Sequence, residues 1–419
     1  MPSLKRPNGS RKSTVISRSW KIQALLAGSG IFIGSFDLGA ISDAMVPVEH
    51  LWHVSAAVAS TLGTVTLIGM LFGSLVAGIV SDRIGRRSLI LADGAMFIIG
   101  ALASALAPDF GVLAAGRVVT GLAIGADFAV VFPYVSEIVP QNKRGRSMAW
   151  IMWAANFGVL SSYGLGAVFL SLFSNGWRIT LGVGVLLALP ILALRSFIGE
   201  SGSWEVERLP DISSILASFA GRKERKALLA NTVATFCYQV GDQGITLVLP
   251  LLLSTVLGAS AAAGAAGATG VKAVTIPAAL LTVFFIERIG RRPLQVIGFL
   301  GRAIAFGLLG VLLMASVHLP GIWVGVLLAL GYFFGAGGPD KTTVIIPAES
   351  FAIPISGSGQ GVSQAGGRLG GIIGVTLYGV LASISGPGAG LLFFAGAALF
   401  GALVSAVFVT ETRETQIKQ

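Results

Sequence analysis

The hydrophobic positions of this chain fall into long, nearly uninterrupted runs that are separated by short polar segments. An α-helix rises about 1.5 Å per residue, so roughly 20 apolar residues cross the ~30 Å hydrocarbon core of a bilayer. The pattern therefore predicts an all-α membrane protein with twelve membrane-spanning helices, called spans 1 to 12 below. The predicted spans cover residues 20–46, 55–80, 88–107, 111–139, 147–172, 178–198, 227–253, 260–286, 293–316, 320–349, 357–383 and 387–410.

The composition excludes several classes of protein. The chain has 419 residues, of which 54% are hydrophobic and 11% are charged. Soluble domains carry about 25% charged residues, so a soluble enzyme, a disordered chain and a fibre are all excluded. The single cysteine, Cys237, excludes an intrachain disulfide and a cysteine-based zinc site. Neither a phosphate-binding loop nor a nucleophile–base pair occurs, so we expect no cofactor, no ATP-driven step and no enzymatic activity.

The net charge of +10 is distributed in a way that predicts the orientation of the chain. Most lysines and arginines lie in the two tails and in the connections after even-numbered spans, and Arg195 falls at a helix end on that same side. Cytoplasmic loops carry such an excess, so both termini of a multi-pass cell-membrane protein are expected in the cytoplasm. No basic patch is left over for a nucleic acid. The expected partners are a small solute, protons and the lipid bilayer, and the protein is expected to be a monomer.

An acidic-Arg-x-Gly-Arg-Arg motif occurs twice, from Asp82 to Arg87 after span 2 and from Glu287 to Arg292 after span 8. Acidic residues recur at nearly the same offset at the ends of spans 4 and 10 and after spans 6 and 12: Glu137 and Glu349, then Glu200 and Glu411. This repetition predicts two parallel six-helix halves. The predicted boundaries are a tail at 1–19, a first bundle at 20–198, a linker at 199–226, a second bundle at 227–410 and a tail at 411–419.

The repeated charges are predicted to lie at one level, near the cytoplasmic ends of the helices. Ion pairs at this level can break and re-form if the halves rock, which predicts a gating network; static links between helices are the alternative. The predicted network comprises Asp82, Arg83, Arg86, Arg87, Glu137, Arg146, Glu200, Glu287, Arg288, Arg291, Arg292, Glu349 and Glu411.

Charged residues also lie near the middle of predicted spans, where each costs at least about 2.5–3.5 kcal/mol. Such residues mark substrate or proton pathways, and interhelical salt bridges are the alternative. Asp127 lies ten residues, about 15 Å, from both Arg117 and Glu137. Adjacent residues do not share a helix face, so we expect no ion pair between Asp340 and Lys341. The mid-span charges are Asp37, Asp127, Asp242, Asp340, Lys272, Lys341 and Arg368.

Two motifs resemble signatures of the major facilitator superfamily. Between spans 2 and 3 the chain reads Gly73-x4-Gly78-x3-Asp82-Arg83-x-Gly85-Arg86-Arg87, and in span 4 it reads Arg117-x3-Gly121-x3-Gly125. The resemblance implies an all-α fold of twelve helices in two pseudo-symmetric six-helix bundles, which transports by alternating access. It also implies a central cavity lined by spans 1, 4, 7 and 10, where the four mid-span acids would converge.

A narrower resemblance concerns spans 4, 10 and 11. Segments 125–128, 338–351 and 360–370 are similar to helices 4, 10 and 11 of the proton-coupled phosphate symporters. That resemblance implies that Asp127 is the proton-relay carboxylate, that Asp340 stands at a phosphate-contacting position and that Arg368 replaces a lysine. The chain departs from the family at Phe128, where a tyrosine is usual, and at Gln239, where an acid is usual.

We therefore predict a secondary transporter that couples protons to symport of a small anion, either inorganic phosphate or a carboxylate. Proton coupling is assigned to Asp127, Asp37 and Arg117. The predicted substrate-binding residues are Asp242, Gln239, Gln243, Asp340, Lys341, Lys272, Arg368, Asn156 and Phe128.

Three alternatives remain open. A sugar or polyol symporter or facilitator is one, because Gly199-Glu200-Ser201 and Thr410-Glu411-Thr412 resemble sugar-porter signatures after helices 6 and 12. A symporter of carboxylates or aromatic acids is another, since segment 36–41 of span 1 resembles that family. A non-transporting receptor would need a signalling domain, for which the linker offers no length.

Overall fold

The computed structural model describes residues 19–201, 212–247, 249–257, 260–317 and 319–413, and this described chain is helical without any β-strand. The first half contains α1 Trp20–Trp52, α2 Ala56–Ile84, α3 Arg86–Ala105, α4 Phe110–Ile138, α5 Arg144–Leu172 and α6 Gly176–Arg195. A short helix, α7 Ile212–Ser218, follows. The second half contains α8 Arg222–Thr246, α9 Leu249–Leu257, α10 Ala261–Ala273, α11 Thr275–Ile289, α12 Arg291–Met314, α13 Gly321–Ala336, α14 Pro339–Ser350, α15 Ser356–Ser385 and α16 Pro387–Val407.

Spans 7, 8 and 10 are each divided into two helices, so the expectation of one unbroken helix is wrong for these three. Proline explains the breaks, because it has no N–H to donate to the carbonyl four residues earlier. Pro250 leaves the carbonyl of Thr246 free at the end of α8. Pro277 does the same for Ala273 at the end of α10, and Pro339 opens α14 as its first residue.

Eleven helical stretches among the described residues are long and apolar enough to cross a membrane. The first part of span 7, α8, does not join them because its buried residues include the polar side chains of Asn231, Gln239 and Gln243. The prediction of an all-α polytopic membrane protein is confirmed. A polar helix within such a bundle indicates that its inward face has a use other than packing.

The predicted linker and tails lie largely outside the described residues, namely at 1–18, 202–211 and 414–419. The basic run from Arg222 to Lys226, which was assigned to the linker, forms the first turn of α8. Both α7 and α8 begin before residue 227, so helical structure starts before the predicted first residue of the second bundle. The domain boundaries otherwise stay predictions.

The two halves contact each other where α2 packs against α15 with almost no side chain between them. A Cβ built on Gly78 would lie 2.6 Å from the carbonyl oxygen of Gly357, closer than packed atoms approach. Small residues at such a crossing let two backbones come together, which is a common way of packing helices in membranes. This contact joins the halves near the Asp82 end of α2, called the charged end below.

Equivalent glycine turns connect α2 to α3 and α11 to α12. Gly85 and Gly290 have φ values of 94° and 101°, a region that only glycine adopts without strain. Each turn receives a carboxylate from the end of its own half. Glu200 accepts the backbone N–H of Arg86 at 2.9 Å, and Glu411 accepts that of Arg291 at 3.1 Å. These acids therefore cap the first turns of α3 and α12, where negative charge is favourable.

Replacing Gly290 by alanine should destabilise the second half. The left-handed φ costs an L-residue about 1–2 kcal/mol, and the new Cβ would lie 2.7 Å from Oε2 of Glu411. We expect Gly290→Ala to lower the thermal unfolding temperature of detergent-purified protein. Gly164→Ala is the matched control, because a Cβ there meets no atom within 4 Å. Equal unfolding temperatures for the two variants would contradict the strained turn.

Candidate functional site

A cluster of charges lies in the second half, at the breaks between its divided helices. It consists of Asp242 on α8, Lys272 on α10, Arg302 on α12, and Asp340 and Lys341 on α14, called the central cluster below. The Nη1 of Arg302 lies 3.4 Å from Oδ1 of Asp242. The ammonium of Lys272 lies 4.1 Å from the centre of the Tyr332 ring, and its charge interacts through space with both acids. The cluster thus contains three cations and two acids.

Within the described chain, one side-chain hydrogen bond joins the first half to this cluster. Nδ2 of Asn156, on α5, donates to Oδ2 of Asp340 at 2.8 Å. Lys341 also pairs with Asp340, so the expectation that these neighbours would not pair is wrong. Asp340 lies in the first turn of α14, directly after the break that follows α13, where the regular helix-face argument does not yet apply. One carboxylate thereby receives donors from both halves.

Four buried glutamines lie on α8 and α15, two on each helix. Their exposed fractions are at most 8%, and the side-chain oxygen of each lacks a hydrogen-bond partner within the described chain. A Cβ on Gly367 or Gly371 of α15 would press against the side chains of the two on α8, so those two lie in the α8–α15 interface. The two on α15 donate at 3.5 Å to the carbonyls of Phe128 on α4 and Thr343 on α14. The four are Gln239, Gln243, Gln360 and Gln364. The sequence analysis named the two on α8 and missed the two on α15. The latter are four residues apart in an apolar span, and two glutamines on one helix face could have indicated a polar site.

Arg368 is a buried cation without a carboxylate partner. It is 1% exposed, and its Nε and Nη2 have no hydrogen-bond partner among the described residues. Its guanidinium lies 4.8 Å from the centre of the Phe128 ring on α4, so the two predicted residues are brought together across the halves. A cation–π contact of this kind stabilises the charge only in part.

Asp37 and Arg117 form a fully buried ion pair within the first half. Nη1 of Arg117 donates to Oδ1 of Asp37 at 3.0 Å, and Nη2 contacts the other carboxylate oxygen. Both side chains are 0% exposed. Nε of Arg117 donates to the hydroxyl of Thr66 on α2 at 3.3 Å. The pair joins α1, α2 and α4, and its paired geometry agrees with its joint assignment from the sequence.

Asp127 pairs with a residue that sequence reasoning placed elsewhere. Nη2 of Arg195 lies 2.8 Å from Oδ1 of Asp127, and Nη1 lies 3.0 Å from Oδ1 of Asp93 on α3. The sequence analysis counted Arg195 among the basic residues at cytoplasmic helix ends that orient the chain in the membrane, but its side chain is 2% exposed. Asp93 was missed, although an acid inside span 3 was itself a signal. The expectation that four acids converge on one chamber is therefore wrong for Asp37 and Asp127, which lie in separate pairs of the first half.

At the charged end, ion pairs within each half are joined by hydrogen bonds between the halves. Arg86 pairs with Asp82 at 2.8 Å and with Glu137 at 3.1 Å. Asp82 also accepts from the backbone N–H of Ser358 at 2.7 Å, and Arg86 donates to the hydroxyl of Ser356 at 3.1 Å. These partners on α15 belong to the second half. The predicted residues Asp82, Arg86 and Glu137 are therefore in contact here, and their role in gating stays a prediction.

The second half repeats this arrangement with the expected residues. Arg291 pairs with Glu287 at 2.8 Å and with Glu349 at 3.0 Å. Glu287 also accepts the backbone N–H of Arg146 at 3.0 Å, which links α5 to α11. Arg87 donates to the carbonyl of Ile198, and Arg292 donates to that of Ala406. Within the described chain, Arg83, Arg146 and Arg288 form no side-chain ion pair, so their place in the gating network stays a prediction.

The halves also contact each other at the opposite end. The hydroxyl of Ser42 on α1 donates to the carbonyl of Leu247 at 3.1 Å. The hydroxyl of Tyr163 on α5 donates to the carbonyl of Thr246 at 2.7 Å. Because both ends are joined, the central cluster and the glutamines lie between two closures. Separating one closure at a time would expose the same polar groups to one side or the other.

Comparisons with known proteins agree with this geometry. The family model described as "Sugar (and other) transporter" matches residues 40–211 and 209–419. The glucose transporter GlcP of Staphylococcus epidermidis is 23% identical over 94% of this chain and 95% of its own length. The cis,cis-muconate transport protein of Acinetobacter baylyi is 23% identical over 96% and 98%, respectively. These matches support a sugar or metabolite transporter and do not support the phosphate branch.

The fold is that of a solved transporter. The proton:xylose symporter XylE of E. coli, bound to 6-bromo-6-deoxy-D-glucose, superimposes with a TM-score of 0.80 at 21% identity. The superposition covers 93% of this chain and 96% of XylE. The twelve-helix fold of the major facilitator superfamily is thereby confirmed, and the expectation that this is not an enzyme is confirmed by the family. The chain is a multi-pass membrane transporter and belongs to the sugar (and other) transporter family of the major facilitator superfamily.

Proposed function

We propose that this protein is a proton-coupled symporter of a small neutral polyhydroxylated solute, a sugar or a polyol. The observation that carries the proposal is a set of four buried glutamines on α8 and α15 whose side-chain oxygens have no partner in the described chain. Gln295 on α12 is a fifth buried glutamine with such an oxygen, but its amide nitrogen donates to Ser405 within the second half. A buried polar group without a hydrogen bond costs about 1–3 kcal/mol. Hydroxyl groups of a solute would donate to these oxygens and remove that cost, whereas an ionised carboxylate without hydroxyls would offer them no donor.

The names of similar proteins support the same substrate class. GlcP is named as a glucose transporter, and XylE is named as a proton:xylose symporter. Asn156 adds a further amide from the first half, and Trp153 on the same helix has a buried indole N–H without a partner. Amides together with an aromatic N–H donor are groups that can bind several hydroxyls of one ligand.

Proton coupling is assigned to the Asp37–Arg117 pair. When Asp37 binds a proton, it no longer neutralises the buried Arg117. Protonation is therefore favourable only if the arginine gains another partner or water. The pair lies on α1 and α4, which connect the central region to both closures. Asp127, with Arg195 and Asp93, stays a further predicted proton carrier. The charged end is assigned to the cytoplasm of the cell membrane, following the distribution of lysine and arginine.

Asp37→Asn should uncouple uptake from the proton gradient. The amide keeps the size of the side chain but cannot carry a proton. In proteoliposomes with an imposed pH gradient, we expect uphill uptake of labelled D-xylose or D-glucose to fall at least tenfold, while exchange without a gradient continues. Glu49→Gln, a neutralised acid on the same helix, is the control and should transport like the wild type. Uphill uptake by Asp37→Asn at the wild-type rate would contradict the assignment.

A second substrate class is favoured by one specific observation. With Arg368, the central region contains four cations and two acids, and two nitrogens of Arg368 have no partner among the described residues. A buried unpaired cation is costly, and a carboxylate on the solute would pair with it. The similar protein from Acinetobacter baylyi is named for transport of a dicarboxylate, cis,cis-muconate.

Ligand-induced stabilisation separates the two substrate classes. We expect D-xylose or D-glucose to raise the unfolding temperature of the purified wild type, and cis,cis-muconate to have no effect. Gln243→Leu should lose the response because the amide oxygen is gone, whereas Arg368→Gln should keep it. Gln295→Leu is the matched control, since the side-chain oxygen of Gln295 also lacks a partner in the described chain, while its amide nitrogen donates to Ser405 within the second half. Stabilisation by muconate alone, lost in Arg368→Gln, would replace the sugar by a carboxylate.

A further inference from the structure

Asp43 is a buried acid that neither the sequence motifs nor the proposed mechanism uses. It lies on α1, six residues beyond Asp37, and is 3% exposed. Neither of its carboxyl oxygens has a hydrogen-bond partner within the described chain. The other buried aspartates of that chain, by contrast, all pair with an arginine: Asp37, Asp82, Asp93 and Asp127.

The surroundings of Asp43 offer room but no countercharge. A Cβ on Gly166 of α5 would collide with its Oδ2, so the absence of a side chain there makes space for the carboxyl group. The titratable group that faces it from α5 is Tyr163, and Asp242 and Tyr332 lie beyond that hydroxyl. Glu49 and His50 follow on α1 toward the end of the helix. No lysine or arginine of the described chain forms an ion pair with Asp43.

Asp43 lies beside the closure at the end opposite the charged end. Its neighbour Ser42 donates to the carbonyl of Leu247, and Tyr163 donates to that of Thr246. The Thr246 carbonyl is available because Pro250 has no N–H to bond it. Both hydrogen bonds reach across the halves, so the closure that they form also covers Asp43.

An ionised carboxylate in this position would be buried without a partner, which is the costly case for a charge in a protein interior. A bound proton removes the charge and most of that cost. When the halves separate at this end, water reaches the carboxyl group and its ionised form becomes favourable. Closing the end again requires a proton.

We propose that Asp43 is a second proton-binding site, on the outer side of the protein, which must bind a proton before that side closes. The proposal rests on the assignment of the charged end to the cytoplasm and deepens the proposed symport. It supplies a proton site that does not depend on the Asp37–Arg117 pair. Closure is favoured at low external pH, and it becomes up to tenfold less favourable per pH unit once Asp43 ionises in the open form.

The distance between the halves at the outer side tests this directly. Nitroxide labels on Asn175→Cys and Val317→Cys, in a Cys237→Ala background, mark the outer turns of the first and second halves. We expect the short-distance population of the parent protein to decrease as the pH is raised from about 5 to 9. Asp43→Asn should keep the short distance throughout, because the amide resembles the protonated acid. Glu49→Gln, a half-buried acid on the same helix, should respond like the parent.

The remaining outcomes are equally decisive. If Asp43→Asn keeps the parent's pH response, the proposal is wrong. If the response is lost in Asp37→Asn but kept in Asp43→Asn, the titrating group is the Asp37–Arg117 pair and the proposal is also wrong. Asp43→Ser, also neutral and smaller, repeats the test if the asparagine variant does not fold. The label distances and proton-driven uptake can also give different answers. If the distances change with pH only when Asp43 is present, but the wild type shows no proton-driven uptake, the Asp43 site is supported and the proposed symport is contradicted.

Discussion

The structure depends on one constraint, which is that a charge inside a membrane protein needs a partner. Asp37, Asp127 and Asp242 each meet this constraint with an arginine of their own half, as Arg117, Arg195 and Arg302 lie within 2.8–3.4 Å of them. These pairs hold the helices of each bundle together, so each half can move as a body. Buried polar and charged groups whose hydrogen bonds are not all filled within their own half can bind a solute or a proton, or contact the other half.

Three sets of incompletely partnered side chains in the described part of the chain bear on the proposed transport, and each has a different chemistry. On α8 and α15 they are amide oxygens, which suit the hydroxyls of a neutral solute. Beside Phe128 the unpartnered group is the cation Arg368, and beside Tyr163 it is the acid Asp43. The two ends of the molecule close around these groups with hydrogen bonds that Ser358 donates to Asp82 at one end and Tyr163 donates to the carbonyl of Thr246 at the other. Opening at one side would break these bonds without disturbing the pairs inside each bundle.

Much of this arrangement could be predicted from the sequence, because hydropathy and charge repeat along the chain. The turns at Gly85 and Gly290, and the acids that cap them, follow from the repeated motif. Pairing could not be predicted where it depends on three-dimensional position. Arg195 is the last residue of α6, so it was taken for one of the basic residues that orient the chain in the membrane. The Asp340–Lys341 pair depends on a helix break that hydropathy does not reveal. The phosphate branch is not supported, since the segments around Asp127 and Arg368 resemble that branch while the chain as a whole belongs to the sugar (and other) transporter family.

Alternating access is the claim on which all of these roles depend, and a reversible cross-link tests it most directly. A Cβ on Gly357 would contact the side chain of Ser81, so cysteines at these two positions, with Cys237→Ala, can form a disulfide between the halves at the charged end. Solute uptake should stop when the disulfide forms and return on reduction, while either single cysteine has no such effect. Unchanged uptake by the fully cross-linked protein would contradict transport by separation of the halves at this end.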